Sequence, residues 1–130
     1  MRLTLTHPKL HVGPRSRPEA DIKILSAVGG PPVSVAGVLV DSGADYLMLP
    51  KHIGIAAGLP MGRGTRVTIN GVSGSVVGRL LTGCVVEVEG VTMTIDILFH
   101  PSNRSAPLLG RNAIFGLKYL LLGSNAWYRP

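Results

Sequence analysis

The chain has 130 residues, enough for one domain and too few for two of ordinary size. A hydrophobic content of 45% supports a packed core, and only 15% of residues are charged, which excludes long disordered stretches away from the ends. The formal charge of +6 invites an anionic partner, but the bases are scattered without a run or aromatic interleaving. That distribution argues against nucleic-acid binding and for a solvated basic surface with a basic N-terminus at Arg2, Lys9, Arg15 and Arg17.

The single cysteine, Cys84, excludes an intramolecular disulfide and reads as a buried structural thiol, in keeping with a reducing compartment. No apolar stretch is long enough to span a bilayer. The N-terminal segment lacks a signal-peptide core, because Thr4, Thr6, His7, Pro8 and Lys9 interrupt it. The expectation is a soluble protein, with the cytoplasm the favoured location.

Seventeen Gly and 10 Pro punctuate the chain every few residues, which predicts short strands and tight turns. Residues 1–20 mix a strand-like alternation at Leu3 and Leu5 with an irregular run from Gly13 to Pro18. They are expected to form an extension, and residues 21–130 the folded domain. Asp21 to Leu25 reads as a strand, Gly29-Gly30-Pro31-Pro32 as a turn, and Val33 to Val40 as the second arm of a hairpin. The wholly apolar end of that second strand, Val38-Leu39-Val40, predicts burial on both faces.

Leu47 to Gly58 reads as a short irregular helix or turn. Thr65 to Ile69 alternates, Asn70-Gly71 gives a strong hairpin signal, and a return strand runs from about Ser75 toward Val88. A further hairpin turns at Glu89-Gly90 into the alternating strand Val91 to Phe99. A loop from Pro101 to Pro107 leads to Leu108 and Leu109. Ala113 to Leu122 is the one helix expected, stopped by Gly123, and Ala126 to Tyr128 reads as a terminal strand. The class predicted is all-β with one short helix.

Chemistry concentrates at Asp41-Ser42-Gly43, directly after the buried strand end. A carboxylate there stands at the floor of a core, Ser42 offers a hydroxyl, and Gly43 permits a sharp turn and close approach of another chain. On its own, Asp-Ser-Gly is also an ordinary turn sequence. Other chemistries find less support. His7, His11, His52 and His100 lie in unrelated contexts with no Gly-x-Ser-x-Gly elbow, which disfavours a Ser/His hydrolase. The histidines and Cys84 show no ligand spacing, so no metal and no cofactor is expected, and His52 reads as a surface residue. Gly71 to Gly78 lacks the Gly-Lys-Ser/Thr of a phosphate cradle.

Three features occur in order: Asp-Ser-Gly-Ala after a buried strand, a central Asn-Gly hairpin, and Leu-Leu-Gly-Arg-Asn before a late helix. This set resembles the retropepsin-like aspartic proteases, over about Asp21 to the C-terminus. The resemblance implies an all-β closed barrel or sandwich with a flap hairpin and one short C-terminal helix. It makes Asp41 the catalytic carboxylate, with Ser42 linking two active-site loops and Gly43 and Ala44 contacting the substrate backbone. Val72, Ser73 and Gly74 then form the flap tip over the substrate, Asp45 borders it, and Leu108 faces a substrate pocket. Leu109 and Gly110 support the active-site loop, and Arg111 and Asn112 open the helix, Arg111 pairing with Asp45.

The sequence departs from the retroviral pattern at Tyr46, where those enzymes often carry a polar residue, and in a flap tip with fewer glycines. Residues 1–20 are left open as a processed leader, an interface strand or an idle tail. The family mechanism needs two carboxyl groups sharing one proton, yet the chain carries one triplet, and Asp45 and Asp96 lack its context. The resemblance therefore implies a homodimer hydrolysing peptide or protein substrates. The alternative is a non-catalytic dimerisation or peptide-binding module on the same fold.

Overall fold

The computed structural model describes residues 11–12, 18–72, 74–116, 120–122 and 126–128. Ten strands are present in this part of the chain: β1 (His11–Val12), β2 (Pro18–Ile24), β3 (Val33–Val40), β4 (Leu47–Pro50), β5 (Thr65–Gly71), β6 (Gly74–Val88), β7 (Val91–His100), β8 (Leu108–Leu109), β9 (Leu120–Leu122) and β10 (Ala126–Tyr128). Two helices accompany them, α1 (Lys51–Ala56) and α2 (Arg111–Gly116), with a single 3-10 turn at Met61–Arg63.

Eight strands form one sheet in the order β1-β2-β3-β8-β4-β7-β6-β5, and β2 also pairs with β6. That extra pairing, Ile22 with Val88 and Ile24 with Val86, closes strands β2, β3, β8, β4, β7 and β6 into a ring. Closure leaves β1 and β5 as the edges. The fold is the all-β, retropepsin-like barrel expected from the sequence.

Alternation places the core. Ile22 and Ile24 of β2, Val38 and Val40 of β3, Leu47 and Leu49 of β4, Val86 and Val88 of β6, and Ile97 and Phe99 of β7 all turn inward and are buried. Among the described residues no polar or charged side chain is fully buried. β6, 15 residues long, pairs with β7 on one edge and on the other with β5 through its first half and β2 through its last. The register breaks between Leu81 and Cys84, where Gly83 takes φ +70°, and this bulge bends the strand from one partner to the other.

Several expectations are met at the level of single elements. β2 and β3 form a hairpin, and Glu89 and Gly90 both take positive φ in a two-residue turn between Val88 and Val91. Others are corrected. β2 starts at Pro18, three residues before the expected strand, and Ala20 is part of the core. The segment Leu47 to Gly58 divides into β4 and α1, and the helix ends in a regular cap. Gly58, at φ +67°, donates to the Ile55 carbonyl, and Leu59 donates to Gly54, both at 3.0 Å.

The expected helix Ala113 to Leu122 begins two residues earlier and is six residues long. Gly116, a poor helix former, is its last residue, and Leu120–Leu122 pairs instead with Ala126–Tyr128 as an antiparallel strand. In the central hairpin Asn70 and Gly71 pair with Ser75 and Gly74, which leaves Val72 in the tip, as expected. The Leu3–Leu5 strand, the Gly123 stop and Ser73 fall outside the described residues.

Candidate active site

The short strand β8 organises the site. It lies parallel to β3, with Leu39 opposite Leu108 and Val40 opposite Leu109, and antiparallel to β4 through Met48. Leu39 donates to the Pro107 carbonyl at 3.2 Å, and Asp41 donates to the Leu109 carbonyl at 3.0 Å. The β3–β8 ladder therefore runs through to the amide of Asp41 and fixes the start of the loop that follows.

Within that loop, the Ala44 amide donates to the Asp41 carbonyl at 3.1 Å, closing a turn. The Gly43 amide donates to Asp41 Oδ1 at 2.9 Å, an Asx turn that fixes the carboxylate and uses one of its two oxygens. Asp41 is half-buried, while Ser42 and Gly43 are exposed. The Ser42 hydroxyl makes no hydrogen bond to a described residue.

α2 holds the loop from behind. Free amides at the start of a helix need acceptors, and here the loop supplies them: Arg111 donates to the Ala44 carbonyl at 2.8 Å and Asn112 to the Asp45 carbonyl at 3.2 Å. The Arg111 guanidinium donates to the Ser42 carbonyl at 3.2 Å and forms an ion pair with Asp45, as the sequence leads one to expect. With 42% and 69% of the two side chains exposed, that pair adds little stability. Its role is geometric, since one planar group engages both ends of a four-residue stretch.

Asn112 ties the arrangement to the barrel. Its Oδ1 accepts from the Leu47 amide at 2.8 Å, and its Nδ2 donates to the Asp96 carbonyl at 2.7 Å. Gly110 is buried with Tyr46 pressed against it; a Cβ there would lie 2.2 Å from the Tyr46 carbonyl oxygen. Only glycine fits.

The structure thus brings together Asp41, Ser42, Gly43, Ala44 and Asp45 with Leu108, Leu109, Gly110, Arg111 and Asn112. Leu108 is half-buried and Leu109 fully buried. The hairpin tip stands apart: Val72 is completely exposed, Gly74 is exposed, and no hydrogen bond among the described residues joins either to the Asp41 loop. His52 is exposed, and His100 Nδ1 accepts from the Ser102 amide at 2.9 Å. Among the described residues no cluster of three or more His, Cys, Asp or Glu is placed to hold a metal, and no helix is long and apolar enough to cross a membrane.

A comparison with protein-family models matches residues 26–113 to an aspartyl protease family. The chain belongs to this family. The match supports protease function in general terms and spans β3, the Asp41 loop, the β5–β6 hairpin, β8 and the start of α2. A search of curated proteins finds no match. In this member of the family, sequence reasoning missed the supporting roles of Tyr46, Leu47 and the Asp96 carbonyl. These act through backbone atoms on segments up to 65 residues from their partners, and no side-chain type announces such a role.

Proposed function

We propose that the chain is an aspartic endopeptidase that works as a homodimer, each copy contributing one Asp41 to a shared site on the two-fold axis. The observation that carries this is the anchoring of the Asp41 loop. Its backbone is fixed from behind by Leu109, Arg111 and Asn112, while Asp41 keeps one oxygen uncommitted beside exposed Ser42 and Gly43. A second copy facing this surface brings two carboxyls close enough that only one ionises. The ionised group takes a proton from water, and the protonated one polarises the scissile carbonyl. The proton balance belongs to the pair rather than to either residue.

The exposed Ser42 hydroxyl is suited to bonding across to the partner's loop. Substrate lies extended between the Gly43-Ala44 loop and the β5–β6 hairpin, which acts as a flap with Val72, Ser73 and Gly74 at its tip. Asp45 and Leu108 line the cleft, Leu108 reaching a side-chain pocket. Main-chain pairing supplies much of the affinity.

The test is cleavage of a mixed peptide library between roughly pH 4 and 7. Cleavage by wild type, blocked by a statine-type mimic and lost in Asp41→Asn, is expected. Adding excess Asp41→Asn protein to wild type is expected to suppress activity by subunit exchange. Cleavage that survives Asp41→Asn overturns the assignment. A stable dimer that binds peptides but cleaves none shifts the reading to a binding module.

A further inference from the structure

The charge of this chain is segregated. All seven acidic residues lie within residues 18–116, where seven Lys and Arg balance them, and the other six bases fall outside that range. Inside it Lys23 stands opposite Glu87 and Arg111 pairs with Asp45, while other bases keep apart from the carboxylates. Asp21 and Glu89 meet where β2 passes the β6–β7 turn, the Asp21 amide donating to Glu89 Oε1, and Glu19 and Glu87 lie on the same two strands. Lys51, Arg66 and Arg79 lie instead where α1 and the 3-10 turn meet the stem of the β5–β6 hairpin.

A groove of about 240 Å³ opens at this place, lined by Met61, Val77, Phe99 and Pro101 together with Lys51 and Arg79. Arg66 stands directly opposite Arg79 across the β5–β6 ladder, on the same face. Like charges directly opposite one another on a sheet repel. Among the described residues no carboxylate pairs with Lys51, Arg66 or Arg79. The Arg79 guanidinium donates to the Gly64 carbonyl at 3.1 Å, which holds it at the groove wall with other N–H groups to spare. One held cation, a second opposite it on the ladder and a third in the groove lining give this place a local excess of positive charge.

We infer that this groove is a docking site for an acidic, partly apolar segment of a protein substrate, separate from the Asp41 loop. The inference rests on the protease reading for the word substrate, but the binding itself does not. Charge selects the occupant. The segments of this chain outside residues 18–116 are basic and are repelled. A nucleic acid has no use for the apolar lining and finds no exposed aromatic ring in it for stacking. Carboxylates on a peptide pair with Lys51, Arg66 and Arg79, while neighbouring apolar side chains settle on Met61, Val77 and Pro101.

The experiment uses the full-length Asp41→Asn protein, so that binding is read without cleavage. The probe is a fluorescent peptide of alternating glutamate and leucine, compared by anisotropy with its glutamine counterpart. The glutamate peptide is expected to bind about tenfold more tightly, and the advantage is expected to shrink as salt rises. Lys51→Ala/Arg66→Ala, both at exposed positions, is expected to remove the advantage, and Lys51→Arg/Arg66→Lys to retain it. Equal binding of the two peptides, or an advantage that survives the alanine pair, overturns the inference. So does tighter binding of oligo-dT through the same residues, or self-association that the alanine pair abolishes. If wild type cleaves nothing while the charge-dependent binding holds, the protease reading fails and the docking site stands.

Discussion

Replacing Gly110 by alanine tests the packing that positions the Asp41 loop. The added methyl would lie 2.2 Å from the Tyr46 carbonyl oxygen, 2.5 Å from its carbonyl carbon and 2.7 Å from its nitrogen. These are backbone atoms, so no rotamer change relieves the contact. Tyr46 in turn cannot retreat freely, because the next amide, Leu47, is bonded to Asn112 and β4 pairs with both β7 and β8. Overpacking a core that can adjust costs about 1–3 kcal/mol. Gly110→Ala is expected at the top of that range, about 3 kcal/mol, read from urea midpoints at an unchanged slope. Two controls separate the causes. Gly62 has nothing within 4 Å and no positive φ, so alanine there is expected to change stability by no more than about 0.5 kcal/mol. Gly29 also has open space but φ +78°, and its alanine variant is expected to lose about 1–2 kcal/mol through backbone strain alone. Displacing the loop by about 1 Å is further expected to lower cleavage about a hundredfold. A Gly110→Ala protein as stable as Gly62→Ala, with normal cleavage, refutes the reasoning.

Two other perturbations address the same frame and the core behind it. Asn112→Ala removes the acceptor for the Leu47 amide and the donor for the Asp96 carbonyl, and is expected to cost about 2 kcal/mol in the same unfolding assay. Asn112→Asp keeps the acceptor and loses the donor, and is expected to fall between alanine and wild type. Burial, and after it the charge of Asp96, pushes the Cys84 thiol up from 9.0 to about 11, against a backbone hydrogen bond at Ile97. The folded state therefore holds this proton more tightly than the unfolded chain. That advantage is intact below about pH 9 and is lost as pH rises through about 11. Relative to Cys84→Ala, wild type is expected to lose up to roughly 3 kcal/mol across that window. A pH profile identical in the two proteins contradicts the assignment.

Much of this structure was legible because the informative signals are local. Alternation at Val91 to Phe99, the Glu89-Gly90 turn and the apolar end of β3 each depend on residues adjacent in the chain, and each appears where expected. The Asp45–Arg111 pair spans 66 residues, and it was expected only because the family resemblance carried by two short motifs implies it. The misses have a different origin. Ala113 to Leu122 is apolar but for Lys118, and such a run suits helix or strand until a partner strand decides. Here Leu120–Leu122 found Ala126–Tyr128.

The same division explains how the Asp41 loop is built. Every anchor on it from β8 and α2, apart from the Arg111 guanidinium, is a main-chain bond: Asp41 to Leu109, Ala44 to Arg111, Asp45 to Asn112. Main-chain anchoring constrains position without consuming side chains, so the Ser42 hydroxyl and one oxygen of Asp41 stay uncommitted while the backbone beneath them is fixed. A loop held instead by its own side chains would have nothing left to present to a second copy or to a substrate. The requirement also accounts for Gly110. Main-chain bonds from β8 and α2 reach the loop only if the two backbones come almost into contact, and a residue without a Cβ is the one that allows it.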